Sequence, residues 1–121
     1  MPIDIKAARR SFEARLQKEF EGRESARQKA LAAARTVIPT IVAKYPAVKS
    51  AYLFGSILRP GAFRSDSDVD IAIEGGSAED YFALWRDLEE ALPNWLIDLR
   101  DLPPDTRFTQ QVYQKGEKIY G

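Results

Sequence analysis

The first third of the chain places apolar residues at helical spacing between charged ones. One apolar stripe comprises Ile5, Phe12, Leu16 and Phe20, and a second comprises Leu31, Ala34, Ile38, Ile41, Val42 and Tyr45. This spacing predicts amphipathic helix between about Ile3 and Lys44. Gly22 is the expected break between two helices, and Pro39 is expected to kink or restart the second one. Core packing is the ordinary role of such stripes, although the first stripe could instead bind a partner.

The rest of the chain alternates short apolar runs with turn residues. Branched and aromatic residues predict one strand over Val48–Phe54, and alternation of apolar and acidic residues predicts a second over Asp68–Glu74. A third strand is expected over Trp95–Leu99. Pro60 and Gly61 lie between the first two strands, so their connection is predicted to be a loop.

Two further helices are predicted around the third strand. Ser77 followed by Asp80 resembles a capping box, and the helix that it starts should end before Pro93. The final helix is expected over Thr106–Lys115, with Gly116 as its C-terminal cap.

These elements indicate an α/β fold, a small mixed β-sheet with flanking helices and an extended helical N-terminus. A short edge strand over Lys118–Tyr120 would complete the sheet. We expect a single domain overall, in which an N-terminal helical segment, 1–45, packs on or extends from a core, 46–121.

The composition narrows the chemistry available to such a domain. The 121 residues include no Cys and no His, which excludes disulfides, zinc sites of thiolate or imidazole, and histidine or cysteine catalysis. Carboxylates around a hard cation, Mg²⁺ above all, are the natural alternative. Eighteen basic and eighteen acidic residues give zero net charge, which argues against groove binding of DNA or RNA and against membrane binding. The first ten residues lack an apolar leader segment, so we expect a cytoplasmic protein.

Three aspartates are the candidates for a cation site. Asp68 and Asp70 stand two residues apart on a predicted strand, so their side chains leave one face with Cα atoms about 7 Å apart. Asp98 lies in the third predicted strand, on the face opposite Ile97. Carboxylates held together repel one another unless a cation or a proton lies between them. The alternative is a solvated acidic turn that includes Asp66.

Gly55-Ser56 follows the first predicted strand directly. Glycine lets the backbone approach a ligand closely, and exposed N–H groups together with a hydroxyl can bind phosphate. Arg59 and Arg64, in the next loop, would add guanidinium groups for phosphate oxygens. A Gly-Ser pair alone is an ordinary turn, and its significance comes from the Asp-x-Asp motif that follows after eleven residues.

The combination of Gly55-Ser56, Asp68-Val69-Asp70 and Asp98 resembles the nucleotidyltransferase superfamily of polymerase β type. More narrowly it resembles the minimal nucleotidyltransferase proteins, many of which are antitoxins encoded beside a HEPN-domain toxin. The resemblance extends over Ala47–Tyr120. The usual spacing in that family is Gly-Ser-x-x-Arg-Gly, whereas this chain has Arg59-Pro60-Gly61.

The resemblance implies a Mg²⁺-dependent transfer of AMP from ATP to a tyrosine hydroxyl of a HEPN toxin. Asp68 and Asp70 would hold two Mg²⁺ ions, which Mn²⁺ can replace, and Asp98 would bridge a metal or activate the attacking hydroxyl. Gly55 and Ser56 would bind the nucleotide phosphates. Two alternatives stay open: a non-catalytic antitoxin that neutralises its partner by contact, and an antibiotic-type enzyme that modifies a small molecule. A homo- or hetero-oligomer is compatible with each.

Overall fold

The computed structural model describes residues 4–121 as one long helix followed by a small sheet with two shorter helices. In chain order the elements are α1 (Ile5–Val42), β1 (Val48–Phe54), a 3-10 helix (Gly55–Leu58), β2 (Asp68–Gly75), α2 (Ala78–Ala91), β3 (Leu96–Asp101), α3 (Arg107–Lys115) and β4 (Glu117–Tyr120). Ile3, where the predicted helix began, lies outside the described residues.

The four strands form one mixed sheet in the order β3-β2-β1-β4. β1 is antiparallel to both of its neighbours, β2 and β4, whereas β2 and β3 are parallel and are connected through α2. A parallel pair needs such a crossover because its two strands run in the same direction. The predicted α/β class with a small mixed sheet and flanking helices is confirmed.

Each face of the sheet is covered by different helices. The main core lies under α1 and α2 and includes Ile38, Leu53, Ile57, Phe63, Val69, Ile71, Ile73, Leu84, Leu88 and Leu99. α3 covers part of the opposite face through a smaller cluster of Ala72, Leu102 and Val112, with Tyr52, Phe54 and Phe108 packed against it. The remaining part of that second face is the region where polar side chains can meet a ligand.

The predicted break at Gly22 is wrong, because α1 is a single helix of 38 residues. A glycine inside a helix costs only about 1 kcal/mol relative to alanine. Side chains on the next turns, Arg23 and Arg27, bind the backbone of residues far along the chain. These contacts hold the helix just beyond Gly22, so the local helix weakness is overridden by tertiary structure.

The two apolar stripes of α1 have different environments. Ile38 and Val42 are fully buried, and α1 continues without a break through Pro39, so the predicted restart does not occur. In the first stripe, Ile5 is 75% exposed and Phe12 is 48% exposed. Core packing is therefore confirmed for the second stripe and wrong for the first, because the N-terminal half of α1 extends past the sheet.

The other predicted helices and strands are confirmed, although some of them begin or end a few residues from the predicted positions. Ser77 and Asp80 form a capping box at the start of α2, and Gly116 caps α3. β3 begins and ends later than predicted, since Trp95 precedes the strand and Asp101 ends it. Within residues 4–121, no helix is both long enough and apolar enough to span a membrane.

The two stripes of α1 give a matched pair of stability tests. Ile38→Ala should lower the free energy of unfolding by roughly 2–5 kcal/mol, because it leaves a cavity under the sheet. Phe12→Ala should change it by less than about 1 kcal/mol, since the ring is half exposed. Urea unfolding followed by circular dichroism measures both. A similar loss in the two variants would contradict the exposed position of the N-terminal stripe.

Candidate active site

The strand register brings Asp68, Asp70 and Asp98 together. In the parallel pair, Asp70 of β2 lies directly opposite Asp98 of β3, and Asp68 lies two residues earlier on the same face. One carboxylate oxygen from each aspartate lies within 4.8 Å of the other two. The cluster therefore lies at one end of the sheet, beside the area that α3 covers.

Packing on the opposite face holds the strand that carries Asp68 and Asp70. Val69 and Ile71 alternate with the two aspartates and are almost completely buried in the main core. A slip of one residue would move the aspartates into that core and the apolar residues into solvent. The alternation predicted from sequence thus fixes which side the carboxylates occupy.

Two side chains of α2 hold the strand that carries Asp98. β3 is an edge strand, so the carbonyl groups on its outer side have no neighbouring strand. Trp85 donates from Nε1 to the carbonyl of Ile97 at 3.0 Å, and the Tyr81 hydroxyl donates to the carbonyl of Leu99. Because these carbonyls belong to the residues on either side of Asp98, the two bonds fix its backbone.

The electrostatics of the cluster are dominated by Asp70. The pKa of Asp70 is raised to about 6, mainly by burial and in addition by the negative charges of Asp98 and Asp68. Arg100 and Arg59 oppose this shift only in part. Arg100 approaches the carboxylate of Asp98, with 3.4 Å between Nη2 and Oδ2. At neutral pH the site therefore carries excess negative charge.

The donor set fits a hard divalent cation. All three groups are carboxylates, and their oxygens are close enough together to share one ion. Asp68 is exposed, whereas Asp70 and Asp98 are partly buried, so the outer side of the cluster is open to substrate and water. Mg²⁺ prefers this combination of a few carboxylates with phosphate and water ligands.

Gly55 brings the backbone of the 3-10 helix against the cluster. Its φ is +79°, and a Cβ atom built on it would lie 2.2 Å from Oδ2 of Asp70. Any other residue would be strained at this φ, and its Cβ atom would displace the carboxylate of Asp70. Glycine is therefore required at this position. Ser56 follows Gly55 in the same 3-10 helix.

A cavity of about 390 Å³ lies beside Gly55, between the 3-10 helix and α3. Arg59 lines it from the loop side, and Phe108, Gln111 and Lys115 line it from α3. Sequence reasoning missed Gln111 and Lys115. Their spacing from Phe108 places all three on one helix face, but only the packing of α3 against the loop turns that face into a cavity wall.

The structure places Arg64 elsewhere. Its residue lines a shallow surface depression along α1, together with Glu19 and Arg23, and its backbone N–H donates to the hydroxyl of Ser67 at 2.8 Å. Of the predicted phosphate-binding residues, Gly55 and Arg59 therefore share one cavity, and Arg64 lies outside it.

Comparison with known proteins identifies the family. The sequence matches the family model described as polymerase beta nucleotidyltransferase over residues 37–121. The chain belongs to this family. The resemblance inferred from Gly55-Ser56 and the aspartates is thus confirmed, and this nucleotidyltransferase domain includes the last turns of α1 together with the whole sheet. A comparison of the sequence with curated proteins gave no match.

Solved structures of toxin–antitoxin complexes resemble this nucleotidyltransferase. A chain of a toxin–antitoxin complex with AMP-PNP is 28% identical with a TM-score of 0.60, covering 72% of this chain and 73% of that one. A mutant of the MntA-HpeT toxin–antitoxin is 26% identical with the same TM-score and the same coverage. A third structure, of a tri-AMPylated HEPN toxin with its MNT antitoxin from Shewanella oneidensis, is 25% identical with a TM-score of 0.49 and covers 72% of each chain.

The raised pKa of Asp70 predicts how its replacement changes stability. The folded pKa of about 6 lies above the ordinary aspartate value of 3.8, so the charged carboxylate destabilises the folded state as pH rises through 6. In chelator, Asp70→Asn should therefore raise the melting temperature by a few degrees at pH 8, and the gain should shrink towards pH 4.5.

Asp66→Asn is the control for this measurement, because Asp66 is exposed and lies outside the cluster. Its melting temperature should follow that of the unmodified protein at both pH values. A lower melting temperature for Asp70→Asn at pH 8, or a gain that does not depend on pH, would contradict the electrostatic description of the site.

Proposed function

We propose that this nucleotidyltransferase transfers AMP from ATP to a tyrosine hydroxyl of a HEPN-domain toxin and so acts as its antitoxin. The observation that carries the proposal is the convergence of Asp68, Asp70 and Asp98 on one point against Gly55. The similar structure with AMP-PNP is a toxin–antitoxin complex, which supports both the nucleotide and the kind of partner.

The carboxylates would divide the chemistry between them. Asp68 and Asp70 would hold two Mg²⁺ ions, or Mn²⁺ in their place, and such bound cations neutralise charge on the triphosphate and the leaving pyrophosphate. The acceptor oxygen attacks the α-phosphorus, the bond from that phosphorus to pyrophosphate breaks, and Asp98 takes the hydroxyl proton on a carboxylate oxygen. Positioning and charge neutralisation are the main requirements of such a transfer.

The nucleotide would extend from the carboxylates into the adjacent cavity. Gly55 and Ser56 would contact the phosphates through backbone N–H groups and the serine hydroxyl. The nucleoside would occupy the cavity of about 390 Å³, with the ring of Phe108 on one side and the cationic Arg59 and Lys115 near the phosphates. Arg64 lines a different depression and would reach a phosphate only from outside this cavity.

Neutralisation by contact is the second candidate, and the exposed stripe on α1 favours it. Phe12 and Leu16 are each 48% exposed, and half-exposed aromatic and aliphatic side chains on one helix face are typical of a binding surface. The family match begins at residue 37, so most of α1 is additional to the family domain. We retain the division into a helical segment, 1–45, and a core, 46–121, as a proposal.

The transfer is tested with ATP labelled at the α-phosphate, Mg²⁺ and the product of the adjacent gene, which the proposal expects to be a HEPN-domain toxin. Label should appear on the toxin, and Asp70→Asn should reduce its rate of labelling at least about a hundredfold, because the cation site is lost. Asp66→Asn should label the toxin at the normal rate. Absence of label with an active toxin present would contradict the proposed function.

The same variant separates catalysis from contact. If transfer neutralises the toxin, cells that express the toxin with Asp70→Asn should fail to grow, although the variant still folds and binds. Growth at the level seen with the unmodified protein would favour neutralisation by contact.

A further inference from the structure

Three charged side chains of α1 bind the loop 55–61, which comprises the 3-10 helix and the three residues after it. Arg27 is 9% exposed and donates from Nη1 to the carbonyl of Ile57 at 3.2 Å. The same guanidinium forms a bidentate pair with Glu24, with distances of 2.8 and 3.0 Å. A guanidinium that is almost buried needs such partners, because an unpaired charge there would be strongly unfavourable.

The other end of the loop is bound at Gly61. Oε1 of Glu24 accepts the N–H of Gly61 at 2.6 Å, and Nε of Arg23 donates to the carbonyl of Gly61 at 2.6 Å. The φ of Gly61 is +74°, and a Cβ atom there would lie 2.4 Å from the ring of Phe20. Both polar groups of this glycine are thus bonded to α1, and its missing side chain allows the close approach.

The two bound points lie on either side of Arg59. Between Ile57 and Gly61 the loop has its own turn, in which the N–H of Arg59 donates to the carbonyl of Ser56 at 3.0 Å. The carbonyl of Arg59 in turn accepts the N–H of Ala62 at 3.1 Å. Fixing Ile57 and Gly61 therefore fixes the backbone of Arg59, which lies between them, and of Ser56, which directly precedes Ile57 and is bonded to Arg59.

The part of α1 that binds this loop lies outside the family match. Residues 1–36 lie outside the family match, and Arg23, Glu24 and Arg27 belong to that additional part. Pro60 stands between Arg59 and Gly61 in the bound loop. Gly61, which follows Pro60, is the residue that the helix binds through both of its backbone polar groups.

We propose that Arg23, Glu24 and Arg27 are positioning residues, through which α1 holds the loop 55–61 in the conformation that binds the nucleotide. The proposal rests on the proposed function, in which Gly55, Ser56 and Arg59 contact the triphosphate. The charges needed for the contact persist at physiological pH. Hydrogen bonds from Arg27 and the N–H of Gly61 lower the pKa of Glu24 to about 2.

A purely structural ion pair would stabilise the fold without influencing nucleotide binding. The chain contains a matched control in Arg35, which forms a bidentate pair with Glu117 at 2.7 and 2.6 Å. That pair joins the same helix to β4 and makes no hydrogen bond to the loop 55–61. Arg35→Gln thus removes a bidentate ion pair from α1, a more exposed one, while leaving the hydrogen bonds of Arg23, Glu24 and Arg27 to the loop intact.

The test measures the Kd for AMP-PNP with Mg²⁺ by calorimetry, and the melting temperature, in the full chain. Glu24→Gln and Arg27→Gln should weaken AMP-PNP binding about tenfold, because the loop loses a fixed end. Arg27→Lys should restore part of the affinity, since the amine can still donate to Ile57 or pair with Glu24. Arg35→Gln should lower the melting temperature but keep the Kd within about twofold.

Arg23→Gln is included as a variant that should stay folded, because Arg23 is only partly buried and the change removes a single bond to Gly61. It should weaken AMP-PNP binding about threefold at an almost unchanged melting temperature. An unchanged Kd in both Arg23→Gln and a folded Glu24→Gln would overturn the inference and leave the proposed function standing. Failure of the unmodified protein to bind AMP-PNP would instead overturn the proposed function, and with it the inference.

Discussion

The crowding of three carboxylates at one end of a small sheet is the constraint on which the rest of the structure depends. Asp70 is directly opposite Asp98, and the missing side chain of Gly55 is what lets the loop lie against it. Buried Val69 and Ile71 prevent the strand from turning the carboxylates away. The resulting excess of negative charge is relieved by a proton or a cation, and a divalent ion shared with a triphosphate relieves it while performing chemistry.

Different elements carry the reactive groups and hold them in place. β2 and β3 supply the carboxylates, α2 fixes β3 through Tyr81 and Trp85, and α3 provides one wall of the adjacent cavity. The C-terminal half of α1 packs into the core, whereas its N-terminal half extends past the sheet. Where those halves meet, its charged side chains bind the loop that carries Arg59.

Local patterns predicted much of the fold and the central part of the site. Alternation with a period of two residues placed Asp68 and Asp70 on one face, because side-chain direction in a strand depends only on neighbouring residues. The continuity of α1 could not be predicted in this way, since Gly22 is compensated by contacts to residues near position 60. The cavity residues Gln111 and Lys115 were missed for the same reason, because their role depends on how α3 packs against a distant loop.

Anomalous diffraction from crystals grown with Mn²⁺ and AMP-PNP is the most direct measurement of the central claim. The expected result is a manganese peak within bonding distance of carboxylate oxygens from Asp68 and Asp70, with Asp98 facing the same ion and the triphosphate lying against Gly55. A manganese site away from these carboxylates, or an Asp98 side chain that points away from the other two, would contradict it.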